Sequence, residues 1–152
     1  MKRNRRGGSG EITVYVAVLS GRETGGKAAW AWVAVEGNTV VGNAWGEASP
    51  KYGTGACAAG YVAVLRCLEY LSITGRRPRR VVFCIGDALL VRQLSGSSPL
   101  LPAEVLPLKE RIEAAAAGIA AVEFREPGPE EKALADRLLG RLPWKGAGPR
   151  GG

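Results

Sequence analysis

The chain contains two aspartates, Asp87 and Asp136, and no histidine. Any chemistry here falls to carboxylates, as general acids and bases or as metal ligands, and imidazole-based catalysis is excluded. Asp87 follows the apolar run VVFCI at residues 81–85, after Gly86. A continuous β-branched run of that length predicts a central strand buried on both faces. Residues 88–94 read as a helix with Asp87 at its N-cap. A carboxylate is thereby held at the carboxyl end of a buried strand, where open α/β sheets build their sites. Capping alone would also account for it. Asp136 lies in ALADRL, within a last helix that carries Leu134, Leu138, Leu139 and Leu142 at helical spacing. Glu130 and Glu131 occupy its first turn, where the helix dipole favours acids. Cys57, Cys67 and Cys84 match no zinc spacing and read as small buried hydrophobes.

The elements that position these residues follow from periodicity. Residues 12–19 form an apolar first strand, and 28–35 alternate with Trp30 and Trp32 on one face. Gly37-Asn38 is a two-residue hairpin signal leading into a third strand over 39–47. Residues 56–73 form a helix so apolar that it must be covered on more than one side. Its only charges are Arg66 and Glu69, and Gly60 sits inside it with no local reason. A helix over 103–117 with Pro107 near its first turn, a strand over 119–126 and the last helix complete the chain. Three antiparallel strands followed by strand–helix units give an α/β fold: a five-stranded mixed sheet, strands 1–3 antiparallel, with helices on both faces.

The 152 residues fit one domain, residues 11–142, between two Gly-rich basic tails at 1–10 and 143–152. The net charge is +7, yet residues 11–142 hold 15 basic and 14 acidic residues. Lys2, Arg3, Arg5 and Arg6 lie in the first tail. Arg76, Arg77, Arg79 and Arg80 form one further cluster just before the buried strand. Such groups favour polyanions. No apolar run approaches the ~20 residues of a membrane helix, and no secretory signal is recognised, so a cytoplasmic location is expected.

The order of elements, with CLEYL at 67–71, GDALLVRQLSG at 86–96 and VEFREPGPEEKALADRL at 122–138, resembles ribonuclease H of type I, and more closely the shorter archaeal form. The resemblance implies cleavage of the RNA strand of an RNA–DNA hybrid by two divalent ions. Four acids would hold those ions, one each on strand 1, the first helix, the end of strand 4 and the last helix. Two neighbouring cations repel, so several carboxylates must neutralise them and leave positions open for water and phosphate. Asp87 and Asp136 match the third and fourth positions. The strand 1 position falls at Val16 or its neighbours to Val18, and the helix position falls on Gly60. Glu23 and Glu69 are misplaced as substitutes, and Glu47 is the only acid that could stand in. Two aspartates can hold one weakly bound Mg²⁺ or Mn²⁺ and form a poor frame for two.

Three functions compete. The first is a degenerate ribonuclease H-like domain that binds RNA–DNA hybrid or duplex DNA through Lys and Arg, requires no cofactor, and stacks bases on Trp30, Trp32, Trp45 or Tyr52 where these are exposed. The second is an active nuclease with a rearranged site. The third is a protein-interaction module that uses the former active-site face. The first is favoured.

Overall fold

The computed structural model describes residues 10–19, 28–47, 56–98 and 101–143. Strand β1 (Glu11–Leu19) sits at the centre of one five-stranded sheet of order β3-β2-β1-β4-β5. It pairs antiparallel with β2 (Ala29–Glu36), which pairs antiparallel with β3 (Thr39–Glu47). On its other side β1 runs parallel to β4 (Arg80–Ile85), and β4 runs parallel to β5 (Ala121–Arg125). The helices are α1 (Ala56–Ile73), α2 (Ala88–Ser95), α3 (Leu106–Ala116) and α4 (Pro129–Gly140).

The expected mixed sheet is present, and local chemistry explains its boundaries. Gly37 has φ +62° while no described non-glycine residue has positive φ, so the Gly37-Asn38 hairpin has the type II′ pattern. Residues 103–105 form a separate 3-10 turn, and α3 starts one residue before Pro107, where a missing N–H costs nothing. β5 starts two residues later than its apolar pattern suggests, because the Ile119 N–H still bonds the Ala116 carbonyl.

Two cores flank the sheet. Even-numbered residues of β1 and β2, including Val14, Val16, Trp30 and Trp32, face α1, α2 and α3. Tyr15, Ala31, Val33, Val82 and Cys84 face α4, which buries Ala135 and Leu139 against them. Helix α1 is wedged between the sheet and α3, so Ala58, Tyr61, Val64, Leu65 and Leu68 are all buried around its circumference. That double cover is what its uniform apolarity requires. Trp30 and Trp32 are 7% and 1% exposed, so they pack in the core and the exposure that base stacking needs is not met. Trp30 lies over β3 where Gly46 leaves room for its ring, and Trp32 packs against Tyr70 at 5.3 Å. Trp45 is 41% exposed, and Tyr52 lies outside the described residues.

Candidate functional site

Parallel pairing of β1 with β4 places their carboxyl ends together, with Val16 opposite Ile85. Asp87 stands just beyond, exposed and in extended conformation, and its Oδ1 accepts the Leu90 N–H at 3.1 Å. It is the N-cap of α2, as its position before residues 88–94 suggests. The other end of α2 is closed by Gly96, whose N–H reaches the Arg92 and Gln93 carbonyls. Gln93 is the one buried polar side chain among the described residues. Its Oε1 accepts from the Cys57 thiol and the Tyr61 hydroxyl, both at 3.2 Å, and so ties α2 to the start of α1. Burial first, then the charges of Asp87 and Glu104, pushes the Cys57 thiol up, and burial pushes the Tyr61 hydroxyl up to about 12. Both groups therefore act as neutral donors.

Gly60 has its explanation here. A Cβ at position 60 would run into Leu90 Cδ2, with Leu90 Cγ at 3.3 Å and Cδ1 at 3.4 Å. Leu90 is 1% exposed, so α2 plugs the face of α1 where the family resemblance asks for a glutamate. The strand 1 position is equally apolar. Val16 is buried in the core between Trp32 and Ile85, and Val18 packs on the same cluster. Sequence reading missed Leu90. The available signal was the glycine itself, a helix-interior residue costing about 1 kcal/mol relative to Ala that only close packing repays.

The remaining acids do not gather. Among the described residues, no three His, Cys, Asp or Glu side chains come close enough to share an ion. Glu47 ends the edge strand β3, opposite Ala29, and three strand spacings separate it from β4. That is roughly 14 Å, too far to join Asp87. It lines a cleft of about 70 Å³ with Trp30, Arg66 and Arg111. Glu69 bridges α1 to α3 by pairing with Arg66 at 2.9 Å and Arg111 at 3.0 Å. Glu23 lies outside the described residues. Asp136 is exposed on α4, which packs on the other face of the sheet from α1. The start of α4 is fixed by Glu131, which accepts the Gly128 N–H at 3.0 Å and pairs with Arg125 at 2.6 Å. The Arg125 guanidinium and that N–H hold the Glu131 carboxyl down at about 2. Two divalent ions do not fit this donor set: two of the four positions are apolar, and the described acids form no cluster.

The amino ends of β1 and β4 are different. The Gly10 carbonyl accepts the N–H groups of Arg79 at 2.8 Å and Arg80 at 3.1 Å. Arg80 is held by Glu123 at 2.8 Å and Glu11 at 3.2 Å, and Arg76 by Glu36 at 3.3 Å. Arg77 and Arg79 are exposed and have no ion pair among the described residues. Of the four clustered arginines, two are thus engaged in pairing and two are available. The sequence places this cluster just before the buried strand, and the fold accordingly puts it at the opposite end of β4 from Asp87. Lys2, Arg3, Arg5 and Arg6 lie outside the described residues.

All three cysteines are free thiols, and burial raises each of them, Cys84 to about 11. No helix of the described residues is long and apolar enough to cross a membrane.

Neither a family model nor a curated protein matches the chain. Solved structures do. The N-terminal RNase H domain of a Mycobacterium tuberculosis protein superposes with a TM-score of 0.66 at 19% identity, over 84% of this chain and 89% of that one. Ribonuclease H1 of Halobacterium salinarum gives 0.61 at 21%, over 87% and 99%. LC11 ribonuclease H1, from a compost metagenome and solved with an RNA/DNA hybrid, gives 0.65 at 21%, over 84% and 92%. At such identities the likeness is one of architecture, and it agrees with the strand order, the parallel β1–β4 pair and the four helices: this chain has the ribonuclease H-like fold.

Proposed function

We propose that this chain is a nucleic-acid-binding ribonuclease H-like domain that has lost two-ion cleavage of RNA–DNA hybrids. The observation that carries the reading is the Gly60–Leu90 contact. A position that would need a carboxylate is occupied by the methyls of a buried leucine. Val16, buried at the strand 1 position, points the same way. Phosphate recognition by Lys and Arg needs no metal, so binding can outlast the acids. A structural neighbour, LC11 ribonuclease H1, was solved with an RNA/DNA hybrid, which makes that duplex the first ligand to try. No cofactor is required for such binding, and at most one weakly held Mg²⁺ or Mn²⁺ would sit with Asp87 and Asp136.

The test is a cleavage assay on labelled hybrid with Mg²⁺ or Mn²⁺, run beside Asp87→Asn. The expected result is no cutting above that control, together with measurable binding of the uncut hybrid. Metal-dependent cleavage that vanishes in Asp87→Asn would restore the active nuclease. No binding to hybrid or duplex at low salt would favour the protein-interaction module.

A further inference from the structure

We infer that β3 is a self-association edge, where two copies of this chain pair their β3 strands antiparallel and join their sheets into one of ten strands. The sheet has two edges, β3 and β5. An edge strand offers unpaired N–H and C=O groups to any other strand, and proteins ordinarily blunt it with charge, proline, shortness or cover. β5 is blunted. It has five residues, its Glu123 pairs with Arg80 and its Arg125 with Glu131, and α2 lies against it. β3 has none of these devices over most of its length. It has nine residues, and residues 39–46 contain no charge and no proline. Two of its side chains are large, apolar and exposed, Val40 at 44% and Trp45 at 41%. Register with β2 sets Trp45 opposite Ala31 and Val40 opposite Val35, both in the core under α4. The apolar face that α4 covers on β1 and β2 therefore runs on to β3 and ends at these two exposed side chains.

The strand is complementary to itself, which points to a second copy as the occupant. The irregularity in the β2–β3 ladder falls at Ala34 and Val35, so residues 42–47 run in unbroken register from Ala34 to Ala29. A two-fold axis through Trp45, perpendicular to the sheet, sets Trp45 beside its own copy, Ala44 opposite Gly46, and Asn43 opposite Glu47. Opposed residues of antiparallel strands share a face, and this register keeps every side chain on the face it already occupies. An aromatic pair stands at the centre. On either side the Asn43 amide donates to a Glu47 carboxylate, and no like charges meet. The glycines at 42 and 46 are already filled by the Tyr70 and Trp30 rings, so the other face needs no rearrangement. Residues 43–47 of each copy make a small interface, so the dimer belongs with weak, reversible assemblies.

The experiment is sedimentation equilibrium of the full chain, without nucleic acid, up to about 0.5 mM, where a dissociation constant in the micromolar range is well exceeded. The expected result is a reversible monomer–dimer equilibrium. Trp45→Lys removes the aromatic pair and opposes two cations at the axis, and should weaken the dimer by about tenfold or more. Leu89→Lys, at an exposed apolar residue of α2, should stay within about twofold. Oxidative cross-linking with copper–phenanthroline checks the register. Trp45→Cys should link to its copy, while Asn43→Cys, four positions out of line and so roughly 13 Å away along the strand, should link no more than the unmutated chain. Equal linking at 43 and 45 would overturn the register. A dimer that Leu89→Lys weakens and Trp45→Lys spares would overturn the edge. A chain that is monomeric throughout would overturn the second copy and leave β3 to a strand from a different protein. Each of these failures leaves the nucleic-acid reading standing, because no nucleic acid takes part.

Discussion

The two ends of the β1–β4 pair were built from different materials. At the carboxyl end, Asp87 caps α2 through the N–H of Leu90, and that same leucine fills the notch at Gly60. Gln93, one turn further on, locks the arrangement through Cys57 and Tyr61. Around α2 this end is held by packing, by the Asp87 cap and by the hydrogen bonds of Gln93. At the amino end the contacts are ion pairs on exposed side chains, with 37–46% of most partners open to solvent. Surface pairs of this kind contribute about 0–1 kcal/mol each. The difference teaches how position 60 is filled. The glycine leaves no hole, because the neighbouring helix α2 sets the Leu90 side chain against it. Introducing an acid there must therefore contend with stability as well as ligation.

The largest expected effect follows directly. Gly60→Glu should destabilise the fold by about 3 kcal/mol or more, through overpacking against Leu90 and burial of a charge. Gly60→Ala isolates the steric part. Helix propensity favours Ala by about 1 kcal/mol, and overpacking opposes it by about 1–3 kcal/mol. Because Leu90 is buried and its Cγ would itself stand 3.3 Å from the new Cβ, the leucine has little room to give way, and the substitution should come out destabilising. Urea denaturation decides the sign. A more stable Gly60→Ala would show that Leu90 yields cheaply and that the plug is weak. Leu90→Ala should cost about 2–5 kcal/mol alone, and less in the Gly60→Glu background, as expected for two residues in contact. It follows that Gly60→Glu with Val16→Asp will raise Mn²⁺ affinity only when Leu90 is also reduced.

Gln93→Leu comes next. It leaves the Tyr61 hydroxyl and the Cys57 thiol without their acceptor, at a cost of about 1–3 kcal/mol. Tyr61→Phe in that background should then be nearly neutral or mildly restoring, since the orphaned donor is gone. Chemical denaturation of the four-member cycle measures the coupling, and additive losses would mean that the network does not link α1 to α2.

The ion pair at the start of α4 gives a pH signature. Glu131 is held at about 2 in the fold, below its ordinary range, so its stabilisation is present above the unfolded value of about 4.3. It fades as pH falls through that range and is gone once the carboxyl is protonated in the fold near 2. Side-chain exposures of 44% and 30% at this pair call for a discount to about 1 kcal/mol. Thermal melts of Glu131→Gln and the unmutated chain should differ at pH 7 and converge near pH 2. A gap that persists at low pH would assign the role of Glu131 to packing.

What was legible in the sequence divides between local signals and contacts made across the fold. Local signals were read correctly: the apolar run ending before Gly86, the Asp87 cap, the Gly37-Asn38 turn, and Glu130 and Glu131 opening α4. Each of these is settled within a few residues by backbone chemistry. The Gly60–Leu90 contact joins residues thirty apart through a crossover, and a glycine has no side chain to announce its partner. The opposed ends were legible, because the arginine cluster precedes the buried strand and Asp87 follows it. Which arginines are paired was not, since Glu11, Glu36 and Glu123 lie far from them in sequence. The fate of Trp30 and Trp32 depended on α1 lying over the sheet, which alternation cannot reveal.

The smallest effect concerns Asp87 and Asp136. If Asp87 and Asp136 share one hydrated divalent ion at a dissociation constant near the concentration added, the linkage is worth RT ln 2, about 0.4 kcal/mol. For a domain of this size that is a rise of about 1–2 °C in Tm. Mn²⁺ should produce it, and Asp87→Asn and Asp136→Asn should each abolish it. Asp87→Asn is a clean control because Asn caps a helix as well as Asp, so its melting point in EDTA should match the unmutated chain. Asp87→Ala removes the cap as well and should lose about 1 kcal/mol without any metal present. The pair of variants thus separates the two reasons for keeping a carboxylate at position 87. A Tm that ignores Mn²⁺, with Asp87→Asn neutral and Asp87→Ala destabilised, would leave capping as the whole reason for Asp87.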